Sequence, residues 1–171
     1  RFYFFCIYKL TKFAHLKNTH IIMRVILQRV QRASVEVEKE IVGKIQHGIL
    51  ALVGFEPEDT IEDFEWISKK LIQLRIFNDQ NHVMNLDIQQ VNGDILVVSQ
   101  FTLHAAVKKG NRPSYIKASK PDVATEQYRT FLSVLEKNFK PVQRGIFGAD
   151  MKVELLNDGP VTIFIDSKNK E

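Results

Sequence analysis

Two segments with helical periodicity divide this chain into blocks, and the order of the blocks constrains its fold more than any other feature. Residues 59–75 place apolar side chains three or four positions apart. Residues 121–139 repeat that spacing after Pro121, a residue suited to a first helical turn. Strand-like stretches precede, separate and follow these helices without alternating with them one by one, which disfavours a doubly wound parallel sheet. The order predicts a mixed, mainly antiparallel α+β domain whose two helices cover curved sheets.

The strand-like stretches show either alternation of apolar and polar residues or short apolar runs bounded by turn residues. In the last block we expect three strands, separated by a turn at residues 148–150 and by the dipeptide Gly159–Pro160. The predicted strands cover residues 24–30, 34–40, 48–55 and 94–101, and three more within residues 142–166.

The first 22 residues differ from the rest in charge. They contain four basic side chains and no acidic one, whereas the remaining chain balances 20 basic against 20 acidic residues. Their aromatic start is interrupted by Lys9 too early for a membrane span. We expect residues 1–22 to be a non-core N-terminal extension, with an organelle-targeting leader as the alternative, and residues 23–171 to form the domain. No later stretch is apolar enough to predict a membrane span.

Cysteine and histidine usage narrows the kinds of site to expect. Cys6 is the single cysteine, so no internal disulfide can form, a pattern typical of a reducing compartment. The five histidines lack the spacing of metal ligands, and no glycine-rich phosphate motif is present. We therefore expect no metal and no nucleotide cofactor.

The dipeptide Gly159–Pro160 interrupts the last strand-like run. Proline has no N–H to donate to a neighbouring strand, and glycine adopts backbone angles that other residues avoid. An X-Pro bond is also the one at which the cis isomer is accessible, about 0.5–1 kcal/mol above trans. A rigid turn of this kind can present backbone carbonyls to a ligand, although most such breaks are simple turns.

A second short run, 99–103, ends another apolar strand. If the strand stays extended, Gln100, Thr102 and His104 share one face. A threonine hydroxyl beside an imidazole is a possible nucleophile with its base, but no third residue orients that base and no G-x-S-x-G turn is present. The favoured interpretation is a strand-end threonine next to a surface histidine.

Residues 104–120 contain five lysine or arginine residues and no acidic residue. Gly110 and Pro113 favour a loop. A solvated surface loop is the simpler interpretation, but the absence of acidic side chains favours a phosphate-binding surface built on Lys108, Lys109 and Arg112.

Five ordered motifs together resemble the D-aminoacyl-tRNA deacylases over essentially all of residues 23–171. The opening MRVILQRV is followed by SQFTL at 99–103, KGNRPS at 109–114, FGADM at 147–151 and NDGPVT at 157–162. The main departure from the family pattern is the 22-residue extension. The fold that this resemblance implies is a single β-barrel-like domain, layered β/β/α.

The resemblance implies a homodimeric hydrolase that cleaves the ester between a D-amino acid and the terminal adenosine of tRNA, a proofreading step of cytoplasmic translation. Gly159–Pro160 would be cis and would complete the active site of the partner subunit. No cofactor is implied. The site residues carried over by motif are Ser99, Gln100, Phe101 and Thr102 for catalysis, and Arg29, Asn157, Gly159, Pro160 and Thr162 for substrate binding and chirality.

By resemblance, backbone N–H groups of Phe101 and Thr102 would hold the developing oxyanion, Gln100 would position the substrate, and Arg29 would brace the Gly-Pro turn. Glycine has no side chain to reject, so Gly-tRNA would also be cleaved. Two alternatives stay open: a non-catalytic RNA-binding module using the loop 104–120, and a small-molecule esterase using Thr102 and His104.

Overall fold

A computed structural model describes residues 23–170, so the predicted extension over residues 1–22 lies outside the described residues. The described part contains two α-helices, eight strands and one short 3₁₀ helix. Their bounds, in chain order, are β1 (Arg24–Val37), β2 (Glu40–Ile45), β3 (Gly48–Gly54), α1 (Ile61–Gln73), β4 (Phe77–Asn78), β5 (Met84–Leu86), β6 (Asp94–Ser99), the 3₁₀ helix (Phe101–His104), α2 (Pro121–Asn138), β7 (Gln143–Arg144) and β8 (Lys152–Asp166).

The main sheet is mixed and has the order β2-β1-β3-β6-β7. Strand β8 lies outside this order and pairs with the long strand β1. Strand β1 pairs antiparallel with β2, β3 and β8, whereas β3–β6 and β6–β7 are parallel. The two ends of this order approach each other, because the Lys44 N–H donates to the Gln143 side chain at 3.4 Å. The sheet is therefore nearly closed and barrel-like, which confirms the predicted α+β fold with curved sheets and two helices.

Both helices bury the faces that their periodicity predicts. Phe64 of α1 and Phe131 of α2 meet Phe55, which follows β3, with ring centroids 5.8–6.3 Å apart and steep interplanar angles. Edge-to-face contacts of this kind add about 0.5–1.5 kcal/mol per pair to the burial of the rings. The helices thus cover one face of the sheet, and a second apolar cluster fills the barrel between Val30, Val35, Leu50 and Leu96.

The start of β1 and the end of β8 are joined by a pair of hydrogen bonds. The Met23 N–H donates to Ser167 Oγ at 3.1 Å, and the Ser167 N–H donates to the Met23 carbonyl at 3.0 Å. The next residue, Lys168, forms an ion pair of 2.7 Å with Asp63 in the first turn of α1. Although burial alone would raise it, the pKa of Asp63 is held below its ordinary value by Lys168 and by hydrogen bonds from Thr60.

Burial raises the pKa of Asp59, just before α1, to about 7 from an ordinary 3.8. Between these two values the unfolded chain releases this proton while the folded chain keeps it, so raising the pH costs stability. We expect Asp59→Asn to match the wild type in free energy of unfolding near pH 4 and to exceed it by about 1–3 kcal/mol at pH 8. Urea titrations at the two pH values measure this difference. An equal difference at both would contradict the assignment to Asp59.

The strands differ from the sequence-based expectation in several places. The short strands β4 and β5 were not predicted, the strand predicted at 94–101 ends at Ser99, and residues 142–166 contain two strands, β7 and β8, where three were predicted. The stretches predicted at 24–30 and 34–40 are joined in the single 14-residue strand β1, and β2 was not predicted. No helix within residues 23–170 is long and apolar enough to cross a membrane.

Candidate active site

The run predicted as a strand end turns sharply instead. Strand β6 ends at Ser99, and Phe101–His104 forms one 3₁₀ turn. The Gln100 N–H donates to the Val53 carbonyl at 2.6 Å, which fixes the turn to the end of β3. The strand predicted over residues 94–101 therefore ends two residues early, and the extended geometry in which Gln100, Thr102 and His104 would share one face does not occur.

A cavity of about 720 Å³ opens beside this turn. Three of the four predicted catalytic residues, Ser99, Gln100 and Phe101, line it, and so do residues 147–151, the FGADM motif. The exposed Phe101 ring packs edge-on against Tyr115, with 5.0 Å between centroids. The fold thus brings two motifs that lie almost 50 residues apart in the sequence to one concave, mainly apolar site.

Backbone N–H groups are available at the start of the turn. The first residues of a helix have no partner within the helix for their N–H groups, and this applies here to Phe101 and Thr102. The Thr102 hydroxyl accepts a hydrogen bond from Gln100 Nε2 at 2.6 Å. The threonine side chain thus contacts the glutamine of the same motif, while the Phe101 and Thr102 N–H groups have no acceptor among residues 23–170.

His104 is not the surface residue that the sequence suggested. Its side chain is fully buried, and Nδ1 lies 3.2 Å from Oε1 of Glu56. Burial lowers the pKa of His104 despite the carboxylate beside it. No hydrogen bond joins it to Thr102 in the part of the chain that the structure describes. The geometry gives Thr102 no base, which removes the support for an esterase built on these two residues.

The Gly159–Pro160 break is a bulge in a continuous strand, and not the expected turn between two strands. Both halves of β8 pair with β1, with Asn157 opposite Val30 and Thr162 opposite Gln28. Between these two pairs, β8 advances by five residues while β1 advances by two. The additional residues of β8 are therefore pushed out of the sheet. The Gly159–Pro160 peptide bond is cis, as the resemblance implies.

Side chains on both sides of the bulge hold its shape. Asn157 accepts the Val161 N–H at 3.2 Å and donates to the Thr162 hydroxyl at 3.0 Å. The guanidinium of the buried Arg29 donates to the Asp158 carbonyl at 3.1 Å and pairs with the Asp158 carboxylate at the same distance. A planar guanidinium suits such a bracing role because its donors have fixed directions.

Gly159 occupies a position that no other residue fits. Its φ is +121°, and a Cβ there would lie 2.8 Å from Nη2 of Arg29 and 2.9 Å from the Val161 side chain. Gly159 and Pro160 themselves are exposed. No residue of 157–162 lines the cavity of the same chain. The predicted catalytic residues at the cavity and the predicted binding residues at the bulge therefore lie apart within one chain.

The predicted basic surface lies on an exposed loop. Ala106 and Ser114 pair by two backbone hydrogen bonds of 2.8 and 3.0 Å, and residues 107–113 project beyond them. Lys108, Lys109 and Arg112 are exposed, and none pairs with an acidic side chain within residues 23–170. No cluster of potential metal ligands occurs in that range either.

Two residues of this region escaped the sequence analysis. Glu56 follows the central apolar strand directly, and Asp158 lies inside the NDGPVT motif, where only the flanking residues drew attention. An acidic residue directly after a buried strand is the one available signal for Glu56. The partner of each, His104 and Arg29, is distant in sequence, so pairing could not be inferred from the chain alone.

Comparisons with known proteins agree with this arrangement. The family model described as D-Tyr-tRNA(Tyr) deacylase matches residues 26–166. Proteins named D-aminoacyl-tRNA deacylase from Flavobacterium psychrophilum and Parabacteroides distasonis are 63% and 59% identical to this chain over 150 residues, 87% of this chain and 100% of each relative.

Two solved structures share the fold. One, described as a c-Myc DNA unwinding element binding protein, is 39% identical, with a TM-score of 0.79 over 83% of this chain and 97% of its own. The other, described as a probable eukaryotic D-amino acid tRNA deacylase, has a TM-score of 0.73 over 85% of this chain and 100% of its own. Its identity of 19% supports the fold alone.

Proposed function

The chain belongs to the D-Tyr-tRNA(Tyr) deacylase family, and from this premise we propose that two copies of it build each active site together. Its activity is that of a D-aminoacyl-tRNA deacylase, a hydrolase that cleaves the ester bond of D-aminoacyl-tRNA and so keeps D-residues out of translation. We place this activity in the cytoplasm, where charged tRNA meets the ribosome. Membership of a hydrolase family decides against a non-catalytic RNA-binding module.

The observation that carries the two-copy proposal is the separation of the two motifs. The cavity holds Ser99, Gln100 and Phe101, whereas the Gly159–Pro160 bulge projects from β8 of the same chain without reaching it. A homodimer with two-fold symmetry can place the bulge of each copy at the cavity of the other. Leu156 and Phe164, on the same strand, are 40% and 57% exposed, and apolar residues exposed on one strand are typical of an interface.

In the assembled site, the bulge would read the handedness of the substrate. A D-aminoacyl group and its mirror image contain the same atoms, so apolar burial alone cannot separate them. Backbone carbonyls of the Gly159–Pro160 turn would accept hydrogen bonds from the amino group of a D-substrate and collide with the side chain of an L-substrate. Arg29, Asn157 and Thr162 support this reading because their side chains form the hydrogen bonds that brace the bulge.

The chemistry would rest mainly on backbone groups. When water attacks the ester carbonyl, negative charge develops on the carbonyl oxygen, and the free N–H groups of Phe101 and Thr102 would stabilise it. Gln100 would orient the substrate at the cavity wall, next to Ser99. The ribose hydroxyl beside the ester would help to activate the water, so the mechanism needs no side-chain nucleophile and no metal ligand from this chain.

Complementation between two inactive variants tests the shared site. Gly159→Ala disables the bulge, and Phe101→Pro removes an N–H of the turn at a position where a helix accepts proline. After subunit exchange in an equal mixture, half of the dimers contain one intact site out of two, so about a quarter of the wild-type activity should return. Each variant alone is the control. If mixing restores no activity while mixed dimers are present, each site belongs to a single chain.

The basic loop would contact phosphates of the acceptor end of the tRNA. Its three cations, Lys108, Lys109 and Arg112, are exposed and have no acidic partner in the described part of the chain, and Tyr115 connects the loop to Phe101 at the cavity. Phosphate contacts position a nucleic acid without reading its sequence. The loop would thus add affinity for tRNA while the cavity and the bulge set the specificity for the amino acid.

Reversing the charge of Lys108, Lys109 and Arg112 together to glutamate should raise KM for D-aminoacyl-tRNA at least about tenfold and leave kcat within about twofold. The slope of log KM against log salt should become shallower, by up to about two units for three lost single-strand contacts. Reversal of Lys44 and Lys152, on the sheet, provides the control. An unchanged salt slope would show that the loop does not bind tRNA.

A further inference from the structure

We infer that His104 and Glu56 form a positioning pair that holds the 3₁₀ turn in the shape required for oxyanion stabilisation, an inference that rests on the proposed role of the Phe101 and Thr102 N–H groups. His104 does not line the cavity, so it touches neither substrate nor water there. It acts through the backbone of the turn whose last residue it is.

The pair is buried and closes the turn onto the end of β3. The His104 side chain is 0% exposed and the Glu56 side chain 8%, with 3.2 Å between Nδ1 and Oε1. Neither Nδ1 of His104 nor Oε1 of Glu56 has a hydrogen-bond partner among residues 23–170, so the 3.2 Å contact between them is the interaction that offsets the cost of burying both polar atoms. Arg24 is the other charged group near the ring, and its guanidinium donates to the Leu103 carbonyl at 3.0 Å.

The imidazole of His104 is tightly packed against the backbone of Gly54. A Cβ on Gly54 would lie 3.0 Å from Nε2 of His104 and 2.7 Å from the Gln100 carbonyl oxygen. Only a residue without a side chain permits so close an approach between the end of β3 and the turn. The ring therefore packs between Gly54 and the turn, and the turn cannot settle closer to β3 while His104 is present.

The two N–H groups lie between two fixed points. The Gln100 N–H is bonded to the Val53 carbonyl at the start of the turn, and the pair of His104 with Glu56 holds its end. Without the imidazole, the turn keeps its first attachment, the bond from Arg24 to Leu103 and the exposed ring contact between Phe101 and Tyr115, and it loses the buried contact at its last residue. Oxyanion donors lose effect steeply when they are misplaced, so a small rotation of the turn reduces the rate without altering the cavity that binds the substrate.

Three variants of His104 test the inference in the full chain. Asparagine places its amide nitrogen near the position of Nδ1, whereas glutamine reaches the position of Nε2 instead. With D-Tyr-tRNA as substrate, His104→Ala should lower kcat at least about tenfold with KM within about twofold. His104→Asn should recover most of that loss because its amide nitrogen keeps a polar group within contact of Oε1 of Glu56, and His104→Gln should not.

A matched core variant separates positioning from general stability. Ile88 is fully buried and contacts Gly93, the residue that precedes β6. It therefore lies near the start of β6, whereas the 3₁₀ turn follows the end of that strand. Ile88→Ala should lower the melting temperature at least as much as His104→Ala while leaving kcat unchanged. A wild-type kcat in His104→Ala, a rise in KM in place of the fall in kcat, or equal rates for the asparagine and glutamine variants overturns the inference.

Amide exchange distinguishes failure of this inference from failure of the proposed function. The N–H groups of Leu103 and Ala105 are bonded to the Gln100 and Thr102 carbonyls, so their exchange reports on the turn directly. Faster exchange in His104→Ala, reversed in His104→Asn, supports the pair even if the wild type does not cleave D-Tyr-tRNA, a result that would refute the proposed function alone. Unchanged exchange in an active enzyme refutes the positioning pair alone.

Discussion

We expect this protein to hydrolyse D-Tyr-tRNA at least about a thousandfold faster than L-Tyr-tRNA, a difference of ~4 kcal/mol in activation free energy. The two substrates differ only in the arrangement around one carbon. A rejection of this size therefore requires polar groups held rigidly at that carbon, and the bulge at Gly159–Pro160 is an exposed backbone segment braced by Arg29 and Asn157.

Two ordinary contributions account for that magnitude. A hydrogen bond lost to the amino group leaves a desolvated carbonyl unpaired, which costs about 1–3 kcal/mol. A collision between the L side chain and fixed backbone supplies the rest, because the bulge cannot yield without breaking its contacts with Arg29. In the proposed arrangement the side chain of a D-substrate would point away from the bulge, so different D-residues should be accepted.

Paired decay curves of D- and L-Tyr-tRNA at one enzyme concentration measure this difference. Gly-tRNA is the informative third substrate, because an achiral residue has no side chain to collide. It should be cleaved at a rate far above that of L-Tyr-tRNA. Equal decay of the D- and L-substrates would refute the handedness-reading role of the bulge.

The second large effect on activity should come from adding a single methyl group at Gly159. Gly159→Ala should lower kcat for D-Tyr-tRNA at least about a hundredfold, which is ~2.7 kcal/mol of transition-state stabilisation. The new Cβ would lie 2.8 Å from Nη2 of Arg29, so either the guanidinium or the bulge must move. Since Gly159 is exposed, the fold itself should survive, and the melting temperature should fall by only a few degrees.

Gly110→Ala is the matched control. Gly110 also has a positive φ, +68°, but no atom lies within 4 Å of the Cβ that alanine would add. The control thus carries an alanine at positive φ without a collision, in the left-handed region that is less costly than φ +121°, and it should keep the wild-type kcat. If both variants lose kcat equally, the collision with Arg29 does not explain the loss.

The sequence predicted those elements whose signals are local. The helix expected within 59–75 is observed as Ile61–Gln73, and the second helix begins at Pro121, where a proline is tolerated. Apolar periodicity reports which side of a helix is buried without any knowledge of its partner. The same local logic identified the central strand β3, whose residues are almost all buried.

The sequence-based predictions that were wrong share one physical cause: the structure of those segments depends on contacts between residues that are distant in sequence. The strand predicted over residues 94–101 ends at Ser99, and the chain turns there, where the Gln100 N–H bonds to the Val53 carbonyl and His104 contacts Glu56. The Gly-Pro break was expected to separate two strands, but both flanks share the partner β1. No spacing within either motif encodes which strand will lie beside it.

The double hydrogen bond between Met23 and Ser167 places the two ends of the described domain side by side. A short glycine-serine linker could therefore join residue 170 to residue 23, and new termini could be opened in the exposed β4–β5 hairpin near Val83, without changing the path of the sheet. Such a circular permutant would keep the cavity and the bulge in their places. Its activity would show that the order of the motifs along the chain is immaterial, and that only their arrangement in space matters.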